Sequence, residues 1–171
     1  MRLTAFTGLG LAFVLLAGEA SASDLYIKYK LYALSLPIGS GTLSLDVGDG
    51  IYSARADGQT AVFGRLVSDG KGSVKARGDV RDLVLQPESY AYDVKSTDET
   101  GTVSMNMRAG KVEKVAVNPP QDRMKERIKV TADHLKGVVD PLTAAILPAP
   151  HGLSEESCNR TLQIFDGKER Y

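Results

Sequence analysis

"LYIKYKLYALSL", residues 25–36, alternates along most of its length. Leu25, Ile27, Tyr29 and Leu31 fall on one side, with Tyr26, Lys28, Lys30 and Tyr32 on the other, before Pro37 interrupts the pattern. A period of two sends successive side chains to opposite faces of an extended chain, so the stretch reads as one strand with a buried face. The next run repeats the pattern: in "TLSLDV" (42–47) Leu43, Leu45 and Val47 oppose Thr42, Ser44 and Asp46. "GDG" at 48–50 signals a hairpin turn, and "IYSARA" (51–56) returns from it. Further strands are expected at "SVKARGDV" (73–80), "SYAYDVKS" (89–96), "TVSMNM" (102–107) and "KVEKVAV" (111–117). Each is bounded by Gly, Pro, Asp or Asn, and short strands joined by tight turns predict an antiparallel meander, not a βαβ array.

Two segments break the period. "AVFGRLVS" (61–68) fits neither strand nor helix spacing and is read as a strand or a helical turn. Further on, Leu135, Val138, Val139, Leu142, Ala145 and Ile146 form one helical stripe. Pro141 forbids a single helix through them, because its ring would clash with the carbonyl of Gly137. With Asp140 as the cap and Pro141 as the first helical residue, the missing N–H costs nothing. A short helix is therefore expected at 141–147, ended by Pro148, with a separate turn or helical piece from Thr131. Leu142, Ala145 and Ile146 should face the sheet.

The start of the chain speaks to compartment. Arg2 precedes an apolar stretch from Ala5 to Ala17 and then the small residues "GEASAS", the layout of a secretory signal peptide cleaved after Ala22. The stretch is shorter than the roughly 20 residues a membrane span needs. Cleavage removes Arg2 and Glu19, one charge of each sign, so the net charge of zero is unchanged. Acids and bases alternate without a basic stripe, which excludes nucleic acid as the partner. Residues 23–171 fall in the usual size range of one domain, large enough to bury a core without staples.

Four segments carry a resemblance: "YALSLPIGSGTLSL", "GKGSVKARGDV", "VVDPLTAAILP" and "CNRTLQIFDGKERY", in that order and at these spacings. From about Tyr29 to Tyr171 the chain resembles an uncharacterised bacterial exported family, domain of unknown function 3108. The resemblance implies a periplasmic, mainly β protein: a curved antiparallel sheet, a meander forming an open half-barrel, around one short helix of the "DPL" type. It implies no activity. It also implies further strands beyond Tyr171, one with a second cysteine, so the chain is expected to be a C-terminally truncated piece. "TLQIF" alternates as a strand and Asp166-Gly167 is a hairpin signal, yet four residues remain to return from it. Cys158 is the one cysteine, and an odd cysteine in an exported protein calls for a disulfide partner outside this chain or in another molecule.

No catalytic or cofactor motif holds up. Cys158 with His134 or His151 could form a nucleophile pair, but neither histidine stands in a recognisable signature, and exported cysteines usually enter disulfides. The two histidines and one cysteine lack the close spacing of zinc ligands. "GRLVSDGKGS" (64–73) fails the P-loop spacing, and Gly70-Lys71-Gly72 reads as a turn. "NRT" (159–161) is a chance glycosylation triplet, and no serine sits in a nucleophile elbow.

What remains is binding. One reading is a noncatalytic cell-envelope factor acting through protein contacts at an edge strand or loop. The alternative is an acyl chain or other apolar ligand in the concave face of the sheet, met by Tyr29, Tyr90, Tyr92, Met105 and Met107. The same five residues equally serve as core against the helix, which is what alternating apolar residues usually do. A thiol-dependent enzyme ranks third. The first reading is preferred, with an envelope protein or lipid as partner and no membrane span after cleavage.

Overall fold

The computed structural model describes residues 23–61, 69–97, 100–120, 129–148, 152 and 159–171. Within these, the chain forms one seven-stranded antiparallel sheet whose spatial order is its sequence order. The strands are β1 (Ser23–Ala33), β2 (Leu36–Gly48), β3 (Ile51–Thr60), β4 (Gly70–Arg81), β5 (Val84–Ser96), β6 (Thr100–Arg108) and β7 (Lys111–Asn118). The sheet is an open meander with β1 and β7 at its edges.

Four of its hairpins are two-residue turns, at Leu34-Ser35, Asp49-Gly50, Asp82-Leu83 and Ala109-Gly110, and all eight central residues have positive φ. That is the signature of the turn whose twist matches paired strands, and it is disfavoured without glycine or asparagine. Leu34-Ser35 therefore gives no turn signal in sequence. The stretch 25–36 is consequently not one strand: β1 ends at Ala33 and β2 begins at Leu36. Pro37 does not interrupt a strand but lies in β2 opposite Tyr32. The β2–β3 ladder starts only at Gly39, so Pro37 has a neighbour on one side, a position that tolerates a missing N–H. Gly70-Lys71-Gly72 is likewise no turn; it opens β4, opposite Ser96, Lys95 and Val94. Of the ambiguous stretch 61–68, only Ala61 lies within the described residues.

One face of the sheet carries the core. Register places Leu45, Ala54, Ala76, Tyr90 and Met105 in one row across five strands. The C-terminal segment covers this face, bringing Val138, Leu142 and Phe165 into a cluster with Tyr52, Val103, Met107 and Val112. A 3-10 turn (Ala132–Leu135) packs by β7, and the helix α1 (Pro141–Ala145) lies against β3 and β4.

The helix is five residues long, two shorter than expected, because Ile146 is already extended (φ −85°, ψ 124°). Its buried side also differs. Leu142 is buried and Ile146 half-buried, but Ala145 is exposed and Thr143 is buried in its place, drawn inward by hydrogen bonds. "TLQIF" forms bridges, not a strand: Val139 N–H donates to the Gln163 carbonyl and Phe165 N–H to the Val139 carbonyl. The four residues after Gly167 do find a partner, since Tyr171 and Ile164 exchange backbone hydrogen bonds of 2.8 and 3.1 Å.

Candidate functional site

Asp140 has no exposed surface. Its Oδ1 accepts from the N–H groups of Leu142 (3.0 Å) and Thr143 (2.9 Å), which caps α1. Oδ2 accepts from Thr143 Oγ1 at 2.5 Å, which uses the hydroxyl's one proton. With Asp140 ionised, Tyr52 is therefore the donor in its 2.6 Å bond to Thr143 Oγ1. This relay ties β3 to the helix start, and Pro141 occupies the first helical position. Burial pushes the Asp140 carboxyl above its usual range, against the opposing pull of the hydrogen bonds from Thr143 and Leu142. Burial likewise raises Tyr52 and Tyr90 above the ordinary tyrosine range, with the Asp140 charge a smaller cause. A sealed chain of this kind holds the fold together and offers no reactive atom to a substrate.

The five residues considered for a ligand separate. Tyr90, Met105 and Met107 are buried in the cluster with Leu142 and Phe165, and Tyr92 packs half-buried against it. Tyr29 stands apart at the exposed end. Its ring folds over Gly41, where a Cβ would collide with it, and its hydroxyl points to the Asp57 carbonyl at 3.5 Å. Gly41, Gly58 and Gly72 are in register, so Tyr29 lies on a lane without side chains. Cys158 and His151 lie outside the described residues. His134 accepts the Thr131 N–H at Nδ1 (3.3 Å), a local cap.

Sequence reasoning did not single out two exposed features. The first is β1 itself. Leu25, Ile27 and Leu31 are 46, 40 and 53% exposed on the core face, and Tyr26 and Tyr32 are 63 and 58% exposed on the other. Among the described residues nothing pairs with its outer side. The second is a cleft of about 730 Å³ across β1–β5. Lys28, Thr42, Asp57, Ser73 and Asp93 are neighbours in register and line it from one face. Lys30, Ser40, Gln59 and Lys71 form the adjacent row. The register puts both rows on the face opposite the core. The polar alternation was visible in sequence, but the rows assemble only once the hairpin at Leu34-Ser35 and the register across five strands are known. Among the described residues no three His, Cys, Asp or Glu side chains gather as metal ligands. Nor is any helix there long and apolar enough to cross a membrane.

An open seven-stranded meander, covered on one face by a bridged C-terminal segment and a capped short helix, defines a small β protein. The chain belongs to the family described as protein of unknown function (DUF3108), which matches residues 28–171. Comparison with curated proteins and with solved structures gave no match.

Proposed function

We propose that the protein is exported to the periplasm and works there as a noncatalytic cell-envelope factor, through protein contacts made at β1. The observation that carries this reading is an eleven-residue edge strand with exposed large apolar side chains on both faces. An unpaired edge offers backbone donors and acceptors to an incoming strand, and alternate side chains supply selectivity. The described strand β1 begins at Ser23, directly after the proposed cleavage point at Ala22. The acyl-chain reading is weaker, because Leu142 and Phe165 occupy the space over Tyr90, Met105 and Met107.

The test is photocrosslinking in intact cells from a benzoylphenylalanine placed at Tyr26 or Tyr32, followed by fractionation. A discrete protein adduct in the periplasmic fraction is expected from β1, and none from Lys114 on β7. Equal adducts from both strands, or none from β1, would remove the proposal.

A further inference from the structure

The cleft on the face opposite the core presents more positive charge than its surroundings neutralise. Among the described residues Lys28, Lys30 and Lys71 line it without a carboxylate at ion-pair distance. Of its two carboxylates, Asp57 is already taken: Arg55 donates Nε and Nη2 to its two oxygens at 2.6 and 2.5 Å. That clamp, more than any other cause, holds the Asp57 carboxyl below the usual range. Counting Lys28, Lys30, Lys71 and Arg55 against Asp57 and Asp93 leaves a local charge of +2, in a chain whose net charge is zero.

Three hydroxyls stand between the lysines: those of Ser40 and Thr42 can both donate and accept, while that of Ser73 donates to Asp57 and can still accept. Lysine ammonium groups act as point charges toward phosphate, without the planar fork that guanidinium offers to carboxylates. The volume of about 730 Å³ far exceeds a bare phosphate and suits a drug-sized polar molecule. Asp93 and Gln59 add acceptors, which a phosphate does not need but the hydroxyls of a larger body do.

We propose that this cleft binds the phosphate ester of a polyol, with the phosphate held by Lys28, Lys30 and Lys71 and the polyol hydroxyls by Ser40, Thr42, Ser73 and Asp93. A free sugar or glycerol phosphate and a phosphoglycerol lipid headgroup share this chemistry. The site shares β1 with the protein contacts proposed above, through Lys28 and Lys30, but it is argued from the cleft face and not from the unpaired edge, so a failure of the crosslinking experiment does not decide it.

Titration calorimetry on the chain from Ser23, in low salt, uses three probes: glycerol 3-phosphate, glycerol, and vesicles of phosphatidylglycerol with phosphatidylcholine vesicles as reference. Saturable binding of glycerol 3-phosphate but not glycerol is expected, weakened at least tenfold in the triple variant Lys28→Gln, Lys30→Gln, Lys71→Gln. A two-site control on β7, Lys111→Gln with Lys114→Gln, should leave affinity within twofold. Binding to phosphatidylglycerol vesicles alone, lost in the same triple variant, assigns the ligand to a lipid headgroup. Circular dichroism and urea midpoints establish that each variant is folded. No binding to either phosphate probe, or equal loss in the β7 control, overturns the site.

Discussion

Asp140 illustrates a residue whose two roles pull its titration in opposite directions. Capping favours the carboxylate, and complete burial favours the neutral acid; burial is the larger cause, so the folded-state pKa lies above the unfolded value. A group raised in this way contributes stability that is fully present below its unfolded pKa and is lost as pH rises through the folded one. Asp140→Asn keeps an oxygen for the Leu142 and Thr143 amides and does not titrate. Relative to wild type it should gain stability as pH rises from about 4, the ordinary aspartate range, upward. Urea midpoints at successive pH values check this; a wild type that gains on the variant over that range would show the hydrogen bonds outweighing burial. Asp140→Ala removes the acceptors altogether and should cost about 0.5–2 kcal/mol for the cap, with more for the stranded Thr143 hydroxyl. Gly167 makes a different demand. Its φ is +96°, and a Cβ there would run into Val103 Cγ1 inside the core. Gly167→Ala should therefore cost about 1–3 kcal/mol by overpacking, in addition to backbone strain, read as a lowered urea midpoint with unchanged slope.

At the scale of elements, the two hairpins without glycine set a specific expectation. Leu34 and Ser35 sit at φ 48° and 68°, and Leu34 is 97% exposed, so neither packing nor propensity rewards leucine there. Replacing Leu34-Ser35 with Asn-Gly should stabilise the protein by about 1 kcal/mol or more, since each left-handed residue otherwise costs roughly 1–2 kcal/mol. A thermal midpoint that falls would mean Leu34 has a role beyond the turn. The same residues explain what was legible. Strand identity was, because alternation at Leu43, Leu45 and Val47 or Val103, Met105 and Met107 needs no knowledge of partners. The helix start was too, because Asp-Pro carries its mechanism locally. The boundary between β1 and β2 was not, since the turn is imposed by strand pairing on residues that do not ask for it. The inward turn of Thr143 was equally hidden: its partner Tyr52 lies far away in sequence. The cleft suffered most, as its rows draw one residue from each of four or five strands.

Across the whole molecule, burial is graded. Met105 on β6 is 1% exposed and lies under the C-terminal segment, while Leu31 on β1 is 53% exposed with its outer edge unpaired among the described residues. A sheet buries its apolar face only where a second layer covers it, and here Val138, Leu142 and Phe165 supply that layer over β3–β7. Phe165→Ala should cost about 3–5 kcal/mol, a large share of the 5–15 kcal/mol that holds a domain folded, whereas Leu31→Ala should change little. Opening free energies then ought to follow the same gradient. In native-state hydrogen exchange, amides of β1 that pair with β2 should open by local peeling, well below the global unfolding energy and insensitive to low denaturant. Amides of β5 and β6 should open only with the whole protein and share its denaturant dependence. Such a gradient makes β1 the adaptable margin of the sheet, able to adjust to an added strand while the rest stays intact. Uniform protection from β1 to β6 would mean that the edge is locked into the global unit and that the graded burial does not set opening free energies.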